Sequence, residues 1–150
     1  MTSDLEVTSL GVSTGDLEMS VLFYTEGLGF ERVGAAEFGD VFAALCEVEP
    51  PMRARSQIVA KGAVRLQFLE WTKPGPSPRA PLPRNVVGLT HLSCAVRDLG
   101  TIVARLVALG GTVLEDTRTR IPLGRGTVEI VCVADPNGVR IELAEYPERP

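Results

Sequence analysis

The chain has 150 residues, 45% of them hydrophobic, and a formal charge of −4 at pH 7, enough to bury roughly 70% of its unfolded surface in one domain without a covalent staple. No Lys/Arg stripe offers a footprint for nucleic acid, no run of about 18 apolar residues would span a membrane, and the opening residues lack the basic and apolar stretches of a secretory leader. The expectation is a cytoplasmic protein with a small-molecule partner; its three cysteines, Cys46, Cys94 and Cys132, an odd number in apolar surroundings, read as small buried hydrophobes.

Residues 6–14 alternate in strand fashion. Asp16 follows as a helix N-cap, and residues 17–26 carry Met19, Leu22 and Phe23 at helical spacing until Gly27 and Gly29 stop the helix. Three strand-like runs come next, near residues 31–35, 41–48 and 64–71. The stretch from Lys73 to Arg84 holds Pro74, Pro76, Pro78, Pro81 and Pro83, five prolines in ten positions, which cannot donate to a sheet ladder and favour a semi-rigid spacer. It reads either as plain connection or as a segment that lines or covers a site. Beyond it a strand leads to Asp98 as cap, then to Ile102, Val103, Leu106 and Leu109 as an apolar helical stripe that Gly110 and Gly111 stop. Strands over 112–116, 126–134 and 138–146 close the chain, the last two joined by Asp135-Pro136-Asn137-Gly138, a type I turn signature.

The order of elements therefore occurs twice. A shift of 82 brings Thr8-Ser9-Leu10 onto Thr90-His91-Leu92 and Asp16-Leu17 onto Asp98-Leu99, and a shift of 75 brings Val64-Arg65-Leu66-Gln67 onto Val139-Arg140-Ile141-Glu142. The expected architecture is α+β: two tandem β-α-β-β-β modules, at 5–72 and 88–147, joined by a linker over 73–87 and forming a curved, partly closed mixed sheet around a cavity. A side-chain period of two puts Leu66, Phe68, Ile141 and Leu143 on the helix-facing side of the closing strands. Ser9, Gln67, His91 and Glu142 fall on the opposite side, where they are expected to converge in a shared hollow.

Paired modules of this kind, with Phe23-Tyr24 inside the first helix, Leu28-Gly29-Phe30 ending it and Asp135-Pro136-Asn137-Gly138-Val139-Arg140-Ile141-Glu142-Leu143 closing the chain, resemble the vicinal oxygen chelate superfamily. That group includes glyoxalase I, methylmalonyl-CoA epimerase, extradiol dioxygenases, fosfomycin-resistance enzymes and the metal-free bleomycin-resistance proteins. The resemblance implies one metal ligand from each opening and each closing strand, positions held here by Ser9, Gln67, His91 and Glu142. Gln, His and Glu at the last three are nearest the epimerase set, whereas Ser9 stands where those enzymes have His.

Two functions follow from the resemblance. In the first the chain is a glyoxalase-like isomerase, epimerase or lyase acting on a substrate with adjacent oxygens, with Gln67, His91 and Glu142 holding a divalent ion (Ni, Co, Mn, Zn or Fe) that stabilises an oxyanion. A general base would be Glu142, if unligated, or Glu47. Arg65 and Arg140 would grip an acidic group, with Ser9, Trp71 and Tyr146 as further substrate contacts. In the second it is a metal-free binding protein for an antibiotic or metabolite, with Trp71, Tyr146 and Phe42 in contact with the ligand; Ser9 in a ligand position favours this reading. Glu142, on an otherwise apolar strand, needs a partner in either case, and pairing with Arg65 or Arg140 competes with ligation. Family likeness also implies a homodimer.

Overall fold

The computed structural model describes residues 5–78 and 81–147. The chain divides into two compact units, Met1–Pro78 and Arg79–Pro150. Each is one β-α-β-β-β module with a four-stranded mixed sheet, and neither sheet closes into a barrel.

In the first unit β1 (Leu10–Thr14), α1 (Leu17–Leu22), β2 (Glu31–Phe38), β3 (Arg53–Lys61) and β4 (Val64–Lys73) give the sheet order β1-β4-β3-β2. The pairs β2–β3 and β3–β4 are antiparallel, and β1 runs parallel to β4 with Leu10 opposite Leu66 and Gly11 opposite Gln67. In the second, β5 (His91–Val96), α2 (Leu99–Ala108), β6 (Thr112–Leu123), β7 (Gly126–Ala134) and β8 (Arg140–Glu145) repeat that order as β5-β8-β7-β6. Here β5 runs parallel to β8, with His91 opposite Arg140 and Ser93 opposite Glu142.

The helix-facing sides form the cores, as the alternation of the closing strands requires. Leu66 and Phe68 are buried with Val21, Phe23 and Tyr24 of the first helical segment, and the Tyr24 ring lies 4.7 Å from that of Phe68. Ile141, Leu143, Val131 and Val133 are fully buried in the second unit beside Leu106 of α2. Burying each such side chain is worth about 1.5–3 kcal/mol.

Both helices start in the same way. The Asp16 carboxylate accepts the Met19 backbone N–H at 2.9 Å, and Asp98 accepts that of Thr101 at 2.9 Å. A glutamate at the end of each closing strand accepts the first helical N–H: Glu70 from Leu17 at 3.1 Å and Glu145 from Leu99 at 3.0 Å. Each helix therefore has two of its orphan donors satisfied by carboxylates, which also complement the positive end of the helix dipole.

Several elements depart from the sequence reading. The first helix widens into a π-helical turn over Phe23–Gly27, which buries Phe23 and Tyr24 together. Residues 41–48 are not a strand. A 3₁₀ turn over Asp40–Phe42 and further turns replace it, and the strand lies downstream at β3. The apolar residues that imitated a strand are partitioned differently: Ala43 is buried with Met52 and Ala54, Phe38, Cys46, Val48 and Trp71 pack around them, and Val41 and Leu45 face solvent. Asp40 fixes this loop by accepting the Met52 backbone N–H at 2.6 Å. β6 is longer than expected, with a bulge between Leu114 and Thr119. No helix among the described residues is long and apolar enough to cross a membrane.

Candidate functional site

The second sheet brings His91 and Glu142 together. Glu142 stands directly opposite Ser93 on the parallel pair β5–β8, so His91, two residues along β5, is its diagonal neighbour on the same face. The Ser93 hydroxyl donates to Glu142 Oε1 at 3.2 Å, and His91 Nε2 lies 3.8 Å from that oxygen. Thr90 Oγ1 is 2.6 Å from His91 Nδ1.

Sequence reasoning did not find the residue at the centre of this cluster. Arg84, last in the proline-rich segment, donates from Nη2 to Glu142 Oε2 at 3.0 Å, and the same nitrogen lies 2.8 Å from His91 Nδ1 and 3.3 Å from Nε2. Its Nη1 approaches Cys132 Sγ at 3.7 Å. Cys132 pairs with Glu142 across β7–β8 and so shares its face, yet it is buried, with the guanidinium against it. The available signal was a cation ending a stiff segment seven residues ahead of His91.

The same segment is held a second time. Arg140, expected to grip substrate, instead donates from Nη2 to the Leu82 carbonyl at 2.7 Å. Within its own unit Glu142 therefore pairs with Arg84 and not with Arg140. Partial burial works against the Glu142 charge, but the Arg84 hydrogen bond, the neighbouring His91 and the Ser93 hydroxyl outweigh it and hold the carboxyl below its ordinary range.

The remaining candidates each lie within their own unit. Ser9, half-buried, precedes β1, and Gln67 on β4 donates from Nε2 to Ser56 Oγ at 3.2 Å; both belong to the first unit. Arg65 is exposed on β4 opposite Ala60. The Trp71 indole N–H donates to Ser13 Oγ at 3.1 Å, and its ring packs on the buried Met52 cluster. Tyr146 is exposed beyond β8, and Phe42 stacks edge-on with Phe38. Glu47 is not on a strand at all: it is exposed in the turn after the 3₁₀ segment, with φ +57°. Two shallow hollows, of about 210 and 380 Å³, lie against β2 and β3 around Glu37 and Arg55. Neither is lined by His91 or Glu142.

A model of the Glyoxalase/Bleomycin resistance protein/Dioxygenase superfamily matches residues 7–143. The chain belongs to that superfamily. No curated protein matches it, but solved structures share its fold over nearly the whole length. A glyoxalase family protein from Bacillus cereus superposes with a TM-score of 0.75 at 16% identity, covering 97% of this chain and 98% of that one. A glyoxalase-related enzyme from Fulvimarina pelagi gives 0.57 at 24% identity over 97% and 91%, and a glyoxalase family protein from Enterococcus faecalis gives 0.61 at 20% over 97% and 100%. Identities this low establish the fold.

Taken by themselves, the residues of the second unit do not offer an open site for the metal that many members of the superfamily use. Among the described residues no three His, Cys, Asp or Glu side chains come together as a ligand set. In the imidazole–carboxylate pair of this unit the Glu142 carboxylate accepts from Arg84 and the guanidinium lies against the His91 ring, so a cation already stands beside the groups that a divalent ion would need.

Proposed function

We propose that the chain is a small-molecule binding protein of the glyoxalase superfamily that works without a resident metal ion. Its ligand lies on the open face of the second sheet, against His91, Glu142 and Arg84. The observation that carries this reading is the position of Arg84 between the two side chains that correspond to metal ligands. The guanidinium supplies a fixed positive charge with five N–H donors, of which its protein contacts use at most three. Polar groups of a ligand would be met by the remaining donors, and its apolar parts by Ala95 and the neighbouring exposed strand surface.

The state of Glu142 points the same way. A general base works best with a pKa near the working pH, and Arg84 and Ser93 shift this carboxyl in the opposite direction. It is suited to holding Arg84 and a ligand donor, and poorly suited to removing a proton from carbon.

The second reading, a metal-assisted isomerase, epimerase or lyase, draws on the 3.8 Å between His91 Nε2 and Glu142 Oε1, from which a small adjustment would bring both donors onto one ion. Metal analysis of the purified protein separates the two. The binding reading expects no stoichiometric Ni, Co, Mn, Zn or Fe, together with a rise in melting temperature for a hit among acyl-CoA thioesters, glutathione adducts or aromatic natural products that Glu142→Ala abolishes. One tightly held ion per chain would overturn it. Family likeness also supports a homodimer, which light scattering tests directly.

A further inference from the structure

We infer that Arg84 is a built-in cation that keeps a latent divalent-metal site closed: it occupies the space between His91 and Glu142 and excludes an ion that those two side chains would otherwise bind. This rests on the metal-independent reading above and adds to it a cause located in one side chain outside both strands.

Three features of the second unit support the assignment. First, a divalent ion would need a ring lone pair of His91 and a Glu142 oxygen at about 2.0–2.2 Å, and Arg84 Nη2 lies 2.8 Å from His91 Nδ1, 3.3 Å from Nε2 and 3.0 Å from Glu142 Oε2. Guanidinium and metal cannot share that space, and two cations so close repel. Second, the arginine is delivered by a stiff, tethered segment. Pro81 and Pro83 fix their own backbone φ angles on either side of Leu82, and the Leu82 carbonyl is held by Arg140 Nη2 at 2.7 Å. With Leu82 anchored two residues away, Arg84 has a short reach and a preset direction. Third, the opposite end of the guanidinium lies against Cys132 Sγ, on the same sheet face. The Arg84 side chain is nevertheless 39% exposed, so it can be replaced without opening the core.

The test uses full-length protein stripped of metal and titrated with Zn²⁺ or Ni²⁺ alone by calorimetry. The wild type, Arg84→Ala, Arg84→Gln and the double variant Arg84→Ala/His91→Ala are compared, each checked for an intact thermal transition. The expected result is at least tenfold tighter binding in Arg84→Ala than in the wild type, at one ion per chain, lost again in the double variant. Arg84→Gln, which keeps much of the stem and removes the charge, shows the same gain and guards against a folding defect peculiar to the alanine variant. Wild type binding as tightly as Arg84→Ala would overturn both the exclusion and the metal-independent reading. No gain in either single variant, with the wild type also silent, would overturn the latent site and leave the metal-independent reading standing.

Discussion

At the scale of single residues, the chemistry of this chain turns on where one arginine ends up. His91 and Glu142 can be found from the sequence because they occupy equivalent places in a duplicated pattern, and strand alternation puts them on the face away from the helix. Arg84 cannot be found that way. It lies 58 residues from Glu142 along the chain, in a segment with no periodicity, and only the folded path of residues 81–84 brings it onto the sheet. The same contact gives a prediction for Cys132, which is buried while Cys46 and Cys94 are half-buried. A thiol reagent should label Cys132 more slowly than the other two, and Arg84→Ala should raise its rate several-fold without comparable change at Cys46; peptide mapping by mass spectrometry reads both. Equal labelling of Cys132 in wild type and variant would show that the guanidinium does not shield it.

At the scale of elements, the two units share a device that pattern reading detects only in part. The aspartate caps are local, three residues from the N–H they accept, and so Asp16 and Asp98 are legible in the sequence. Glu70 and Glu145 are visible as matching residues of the repeat, but their role depends on the closing strand ending beneath the helix N-terminus, 53 and 46 residues away in sequence. Glu70 is also paired with Arg55. That hydrogen bond, aided by the Leu17 N–H and opposed by partial burial, keeps the Glu70 carboxyl below its ordinary value. A carboxyl depressed in the folded state contributes stability that is fully present above its unfolded-state pKa and is lost as pH falls through its folded-state pKa. Glu70→Gln should therefore cost about 1–3 kcal/mol at pH 7, and the gap to wild type should narrow below about pH 4, where the unfolded carboxyl takes up its proton. Urea titrations at pH 7 and pH 3.5 check this; a gap of constant size would remove the Arg55 pairing from the account. The misread segment at 41–48 belongs to this scale as well. Its apolar run from Val41 to Cys46 fits a buried strand, and it became a turn because Asp40 captures the Met52 N–H and Ala43 reaches the Met52 cluster from a 3₁₀ start.

At the scale of the whole molecule, each unit carries its own core, and Phe68 is the side chain on which the first depends most visibly. It is fully buried, touches the Tyr24 ring and lies in the strand that pairs with both β1 and β3. Phe68→Ala should destabilise the protein by about 3–5 kcal/mol, measured by chemical denaturation; a loss below about 1 kcal/mol would mean that this position is not core. The sequence by itself determined the duplicated β-α-β-β-β plan, the helix starts and the faces of the strands, because those depend on short-range periodicity and capping that recur in both copies. The partners of the polar residues on the open faces were decided by tertiary structure alone. Glu142 took Arg84 over Arg140, and Arg140 took a backbone carbonyl. The physical reason is that a half-buried charge is satisfied by whichever donor the folded chain brings within about 3 Å, and that distance is set by the path of a proline-rich segment whose residues carry no pattern pointing to their neighbours.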